Sequence, residues 1–526
     1  MTMKSKVDSA RMGNAGDLPQ GENSPAHQVP PVTGNSSILP PARTALLLGF
    51  ITLIGAALRL HSLAVRSLWI DEAASVSFAS LAWKPFLKVL WGYQGNMAFY
   101  YFLLHGWIHL GDSEFAVRSL SVLFGVLTIP ALYLLAARLF DRPTGLISAA
   151  LLTVHSFHIH WSQETRAYSL LILLLVLTTY ALIAALESKA KLSYWLAFSV
   201  LAALCVYAHI FALLVLTAHA LAIAFPKPFR VGLPTVVASA AVFAFLCEPM
   251  AAFVVLQHGD QLAWIARPSL ADIWEFLTLL TGQGGVLLVV VYFGLCGLAF
   301  LQPAGTNRPA KESWALRLIL FWLLSLPLLT LAVSLIKPLF YPRYMVICVP
   351  ALVILAARGL MNLYAMPAVR HWAAAVALVL VIALSGWGTH HYFVNFPTET
   401  SDWRSAVSYI LERQRPGDGA VFFLPNTYCY YYYVRRAEEN QHKAISAPDV
   451  LYPTVPWQPV THAEVQQVTS GHERVWLILH IDIINPRASA TIQSTLGETY
   501  RVVDKHEFPG EDLITVALYN RTPAGH

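Results

Sequence analysis

Charge is scarce in this sequence. Its 526 residues include 35 Lys and Arg and 30 Asp and Glu, 12% charged against 56% hydrophobic, whereas soluble domains average about 25% charged. That deficit excludes an ordinary soluble enzyme, and the apolar runs that replace the charge mark a polytopic α-helical membrane protein. Cysteine is sparse too. Cys205, Cys247, Cys296 and Cys348 fall in apolar segments and Cys429 stands alone in the polar C-terminal part, so no disulfide framework is implied. The net charge of +5 is spread over short loops without a basic stripe, which excludes a nucleic-acid partner. No internal repeat of the kind many transporters carry is visible.

Residues 1–43 are rich in Pro, Gly, Ser and Asn without apolar periodicity and read as a disordered tail. The tail has no signal-peptide core, so the first apolar helix is expected to act as an uncleaved signal. Runs long enough for the roughly 30 Å hydrocarbon layer cover 44–64, 116–138, 144–160, 168–187, 193–208, 210–225, 232–256, 285–302, 316–336, 344–361 and 372–388, about eleven spans in 44–388. With the N-terminus cytoplasmic, Arg43, Arg138, Arg142, Arg308, Lys311, Arg317 and Arg358 all fall inside, as positive-inside topology requires. An odd number of spans sends residues 389–526 outside.

Three outward clusters carry the chemistry. In the first, Asp71-Glu72 follows Trp69 just beyond the first span. A carboxylate at bilayer depth costs about 2.5–3.5 kcal/mol, so one there has a task or a partner. Helical neighbours project about 100° apart, so the two would differ in role, with Glu72 secondary. The second cluster, His155 to Tyr168, holds His155, His158, His160, Gln163, Glu164 and Arg166. It either binds a divalent metal or makes ordinary hydrogen bonds, since the spacing fits no closed metal motif. The third is Lys337 to Tyr344, where Arg343 sits among Tyr341, Pro342 and Tyr344. It reads either as a phosphate grip or as an interfacial anchor. Two acidic clusters and one cationic cluster suit transfer of a sugar from a lipid phosphate, with a proton to remove and an anion to stabilise.

The first outer loop, about 65–115, contains Trp83, Phe86, Leu87, Leu90 and Trp91 at helical spacing with Lys84 and Lys88 on another face. This is a helix either in the membrane interface or packed on the bundle. Beyond 389 the chain reads as an extracytoplasmic α/β domain. A helix is expected over Asp402–Arg413, a turn at Pro416–Gly419, and strands at Ala420–Leu424, Tyr428–Val434, Arg474–His480, Thr499–Val503 and Leu513–Tyr519. The tyrosines at 428 and 430–433 either bury one strand face or stack on sugar rings.

Arg59-Leu60-His61 with Ser67–Ser75, Tyr100–Trp107, Gly111–Ser121, Ser162–Tyr168 and Arg343-Tyr344 together resemble bacterial multi-spanning glycosyltransferases of the GT-C fold. The resemblance is to the glycosyltransferase family 39 and lipopolysaccharide-core galacturonosyltransferase-like group, related to the protein mannosyltransferases. It is close over about 45–200 and in outline beyond. It implies a polyprenyl-phosphate-sugar donor, inversion, and an envelope glycan, lipid or protein acceptor at the bacterial inner membrane. It also implies Asp71 as catalytic base, with Glu72 and Glu164 in the same acidic site. Arg59, Tyr100, Tyr101, Arg118, Gln163, Arg166, Tyr341, Arg343 and Tyr344 become substrate-binding candidates. No cofactor is required, and a divalent metal is the alternative. One departure is Asn96-Met97-Ala98-Phe99, where relatives often carry Pro-Pro. A flippase of lipid-linked sugars and an inactive scaffold are the competing readings.

Overall fold

The structure, a computed structural model, describes residues 40–523 apart from 189–190, 226–227, 230, 257–264, 303–306, 367–370, 400, 423–425, 443, 452–458, 481–485 and 511–512. The expected tail lies almost wholly outside the described residues. The first apolar helix, α1, is Pro41–Leu60, and its opening proline suits a first turn whose amide would lack a partner anyway. Helices α2 (Ile70–Ala79), α3 (Trp83–Val89) and α4 (Ala98–Trp107) fold the first outer loop. The bundle continues with α5 (Glu114–Leu139), α6 (Arg142–Thr153), α7 (Ser156–Ser162), α8 (Tyr168–Glu187), α9 (Leu192–Ala208), α10 (Ala212–Ala224) and α11 (Leu233–Leu256). It closes with α12 (Leu270–Leu280), α13 (Gly285–Leu298), α14 (Ala310–Ser334), α15 (Val349–Ala365) and α16 (His371–Glu399).

Every expected span coincides with helix, but not always with one helix. Among the described residues seven helices are long and apolar enough to cross a membrane, or eight if α12 and α13, bent by 72°, count as one. The expected span at 144–160 is broken at Val154-His155 into α6 and α7. At 1.5 Å per residue α10 is only about 20 Å long, so hydropathy alone does not make it a crossing. The last span also runs on to Glu399 rather than ending at 388, moving the change of character to about residue 400. Inside lipid the helices are held by close packing rather than by escape from water. At the α13–α15 contact, a Cβ on Gly359 would stand 1.8 Å from the Leu295 carbonyl oxygen, so only glycine allows that approach.

The helix expected over 402–413 is α17 (Trp403–Arg413), capped by Asp402, whose side chain accepts from the Ser405 amide. There follow β1 (Gly419–Val421), α18 (Thr427–Gln441), β2 (Asp449–Leu451), α19 (His462–Thr469), β3 (Arg474–His480), α20 (Pro486–Thr499), β4 (Tyr500–Phe508) and β5 (Ile514–Arg521). The sheet runs β2-β1-β3-β5-β4, with β1 parallel to β2 and β3 and the other pairs antiparallel. Trp476 is fully buried at its centre, a burial worth about 1.5–3 kcal/mol, and its indole N–H donates to Asp418 Oδ2 at 2.8 Å. The expected α/β character is present, but β2, α19 and α20 were not anticipated, the strand expected over Ala420–Leu424 is described only to Val421 with 423 and 424 outside the described residues, and Tyr428–Val434 is helix in α18 and not strand. Cys429, Tyr430, Tyr432 and Tyr433 are buried while Tyr431 is half exposed. That pattern follows a helical face rather than the alternation a strand requires. Packing of the phenols against the first outer loop overrides tyrosine's preference for strands.

Helix α3 is buried on one face and exposed on the other. Phe86 is buried against the protein, whereas Trp83 and Leu87 are 50% and 44% exposed beside the exposed Lys84 and Lys88.

Candidate active site

Residues 61–69 carry no regular structure yet are buried where they approach α2, so their backbone polar groups need partners. Arg118 on α5 supplies many of them. Its guanidinium donates to the carbonyls of Leu63, Arg66 and Ser67 at 2.9–3.0 Å and grips Glu72 with Nε to Oε1 at 2.8 Å and Nη2 to Oε2 at 2.6 Å. The Thr165 amide donates to Glu72 Oε1 at 2.8 Å. Both side chains are fully buried. Charge-assisted bidentate pairing of this kind is strong and directional, so it fixes α2 rotationally against α5.

Glu164 is neutralised in the same way. Arg66 donates to its Oε1 at 2.8 Å and the Trp69 indole N–H donates to Oε2, and the carboxylate is 2% exposed. Glu72 and Glu164, catalytic candidates beside Asp71 with Glu72 expected to be secondary, are thus both buried and paired with guanidiniums.

Asp71 differs from both. One residue along the helix, its side chain is 36% exposed. Its Oδ2 faces two guanidiniums at once, Arg166 at 3.5 Å and Arg343 at 3.6 Å. These contacts are longer than good charge-assisted hydrogen bonds of about 2.7–2.9 Å. Arg166 also donates to the Asp71 carbonyl, the Ser75 hydroxyl and the Tyr101 hydroxyl at 3.3–3.4 Å. Burial opposes the Arg166 charge, yet attraction from Asp71 and from the phenols of Tyr101 and Tyr168 outweighs it, so its proton is held more tightly than in water. The buried Nε of Arg166 has no acceptor among the described residues.

Arg343 lies in a 3₁₀ turn, Pro342–Cys348, at the mouth of α15. Its guanidinium carbon is 4.5 Å from the Tyr341 ring centre, 5.7 Å from Trp69 and 6.0 Å from Tyr344. Tyr344 in turn neighbours Tyr168, His209 and Phe211. An aromatic wall thus adjoins a carboxylate and two cations. Asp71, Arg166 and Arg343 belong to segments far apart in the chain, and the C-terminal domain packs on the first of them, so all four stand on one face.

The remaining sequence candidates divide. Tyr101 reaches the site through Arg166, whereas buried Tyr100 bonds the Ser121 hydroxyl at 3.0 Å behind it. Gln163 donates to the carbonyls of Arg59 and His61 and accepts from the Tyr392 hydroxyl. Arg59 is a strut among α1, α6 and α7, with donors on Gly55, Leu152 and Thr153 carbonyls and on His158. A Cβ on Gly125 would meet the Ser162 hydroxyl at 2.2 Å and Arg59 Cδ at 3.3 Å, so glycine makes the space for that strut. Arg59, Arg118, Tyr100 and Gln163, expected at the substrate, therefore serve the site from behind. Asn96, in the departure from the family pattern, accepts from the Ile210 amide at 2.9 Å and ties the first loop to the α9–α10 turn. Sequence reasoning gave Arg66 and Arg404 no role, held Glu114 only as part of the Gly111–Ser121 motif, and read Tyr433 only within the tyrosine run. Arg66 stood next to the Ser67–Ser75 motif and could have been found as the partner a buried Glu164 needs.

The histidines of the second cluster do not converge. His155 bonds the Leu280 carbonyl, His158 bonds Arg59, and His160 stacks near Trp161 and Tyr392. Among the described residues no three His, Cys, Asp or Glu side chains are grouped to hold a metal ion. The groups facing Asp71 are the guanidiniums of Arg166 and Arg343, which suit an anion.

A family model described as dolichyl-phosphate-mannose-protein mannosyltransferase matches residues 97–253. Among curated proteins none matches the sequence significantly. Solved structures are similar over nearly the whole chain. ArnT from Cupriavidus metallidurans in the apo state gives a TM-score of 0.56 at 13% identity, over 90% of this chain and 98% of that one. The same protein bound to undecaprenyl phosphate gives 0.55 at 13%, over 91% and 98%. The oligosaccharyltransferase of Archaeoglobus fulgidus in the apo form gives 0.52 at 12%, over 93% and 75%. At these identities what is shared is the fold.

Proposed function

Taking the GT-C glycosyltransferase fold of this multi-pass membrane protein as premise, we propose that the chain moves a sugar from a polyprenyl-phosphate donor to an extracytoplasmic acceptor, with inversion and with Asp71 as the base. The observation that carries this reading is the division among three carboxylates. Glu72 and Glu164 are buried and paired, while Asp71 is 36% exposed and faces two guanidiniums only at 3.5–3.6 Å. The likeness to ArnT in its complex with undecaprenyl phosphate supports the donor class.

The donor phosphate competes with Asp71 for Arg343 and for the guanidinium of Arg166, whose Nη2 faces Asp71 and whose Nε has no acceptor among the described residues. Their 3.5–3.6 Å contacts are easily exchanged. Asp71 then accepts the proton of the acceptor hydroxyl as that oxygen bonds to the anomeric carbon. The bond from that carbon to the phosphate oxygen breaks with its electron pair, and the polyprenyl phosphate departs against the two guanidiniums. The aromatic wall of Trp69, Tyr341 and Tyr344 offers faces for the sugar ring and keeps Arg343 in place.

The topology supports the same reading. Asp71, Arg166 and Arg343 lie together and the C-terminal domain packs on the segment before Asp71, which on this reading calls for an even number of crossings between each pair, as the expected eleven spans would give. With the cytoplasmic side read from the positive-inside rule, our reading takes the face they share as the outside of a bacterial inner membrane. The test is transfer from labelled polyprenyl-phosphate sugars by the protein in nanodiscs, comparing wild type with Asp71→Asn. Transfer by wild type and its loss in the variant is expected. Near-wild-type transfer by Asp71→Asn removes Asp71 as base.

A further inference from the structure

We infer that the C-terminal domain is a clamp on the catalytic helix, with Tyr433 and Arg404 as positioning residues that set the placement of Asp71; this rests on the proposed transfer reaction. The segment delivering Asp71 is irregular, and its carbonyls from Leu63 to Ser67 are all received by two guanidiniums. Arg118 takes those of residues 63, 66 and 67. Arg404, on α17 of the C-terminal domain, takes Ala64 at 3.1 Å, Val65 at 3.4 Å and Arg66 at 3.2 Å. The backbone that aims α2 is thus held half by the membrane bundle and half by the outer domain.

Four further contacts come from the same side. The Leu68 amide, three residues before Asp71, donates to the Tyr433 hydroxyl at 2.7 Å, and the Cys429 thiol contacts the Leu68 carbonyl at 3.7 Å. The Ser67 hydroxyl donates to the Ser401 carbonyl at 2.7 Å and accepts from the Trp403 amide at 3.2 Å. The Tyr433 hydroxyl and Arg404 both donate to Glu114, on the first turn of α5 and one helical turn before Arg118. Burial pushes the Tyr433 phenol well above its ordinary value. One hydroxyl therefore joins the backbone leading to Asp71 with the helix that grips Glu72.

Losing the Tyr433 hydroxyl leaves a buried Leu68 amide without its acceptor and lets residues 66–71 shift. A displacement of about 1 Å in a reacting group can cost about 100-fold in rate. The experiment compares Tyr433→Phe and Arg404→Gln with Tyr430→Phe. Tyr430 lies in the same helix, but its hydroxyl bonds the Pro448 carbonyl within the domain. Full-length variants in nanodiscs are read by hydrogen exchange of residues 64–76 without substrate, then by kcat and donor KM per folded molecule. Tyr433→Phe and Arg404→Gln should speed exchange in 64–76 and lower kcat about 10- to 100-fold with donor KM little changed, while Tyr430→Phe does neither. Unchanged exchange, or faster exchange with unchanged kcat, overturns the clamp. If the wild type transfers no sugar, the transfer reading fails, and the exchange arm alone decides whether the clamp exists.

Discussion

Two adjacent carboxylates should give opposite phenotypes. Glu72→Gln keeps the shape of the side chain but replaces an oxygen that accepts from Arg118 Nη2 at 2.6 Å with an amide or leaves that amide facing Nε at 2.8 Å. Either way a donor faces a donor, and Arg118, fully buried, becomes an uncompensated charge. Breaking one side of a buried pair costs about 3–5 kcal/mol against a total stability of about 5–15 kcal/mol. At about 2–4 °C per kcal/mol for larger domains, the thermal midpoint should fall by roughly 6–20 °C. Asp71→Asn alters a partly exposed group held by long contacts, so stability should stay within about 0.5 kcal/mol. Its turnover should fall by about two to four orders of magnitude, the scale of general base help. The assay pairs thermal unfolding of purified protein in nanodiscs with single-turnover transfer. A wild-type midpoint in Glu72→Gln would refute the clamp at Arg118, and a lowered midpoint with intact transfer in Asp71→Asn would refute the division of roles.

Other outcomes follow from the same geometry. Arg343→Lys should keep charge but lose the fork and the stacking on Tyr341, lowering kcat partially, whereas Arg343→Ala lowers it far more; two fully active variants would remove Arg343 from the site. Because the carboxylates near Asp71 are committed to guanidiniums, transfer should survive exhaustive chelation, and loss rescued by a divalent ion would show the histidine cluster was weighed wrongly. Burial pushes the His480 ring down to about 4 from its ordinary value of about 6.5. The unfolded chain therefore takes up a proton below about pH 6.5 that the folded chain refuses until about pH 4. Stability should fall with pH across that window, and the fall should be shallower in His480→Gln; identical pH profiles would contradict it.

Much of this was legible in the sequence because the determinants are local. Apolar runs gave the helices of the bundle, and the motif around Asp71 gave the one carboxylate that stays open. The α17 helix and strand β3 followed from short-range pattern and coincide with expectation closely. Failures came where a partner far along the chain decides. The Tyr428–Val434 run looked like a strand because only its neighbours were visible, whereas its phenols answer to Leu68, Asp112 and Glu114 more than 300 residues earlier. Arg59 and Arg118 looked like substrate ligands because a buried guanidinium and a ligand-binding one are the same residue in a sequence. What separates them is the set of carbonyls nearby, which spacing does not report.

On the proposed reading, the same distinction explains why so many buried charges surround a single reacting one. Asp71 must be open to water and loosely held to exchange partners, so it cannot itself anchor the helix that carries it. Anchoring falls to Glu72 at the next position, turned about 100° away into the protein, where a bidentate pair fixes it to α5. The irregular segment before α2 could not supply regular hydrogen bonding, so Arg118 and Arg404 take its carbonyls from two sides. Removing a charge from this shell should move the reactive carboxylate, whereas removing the reactive carboxylate should leave the shell standing.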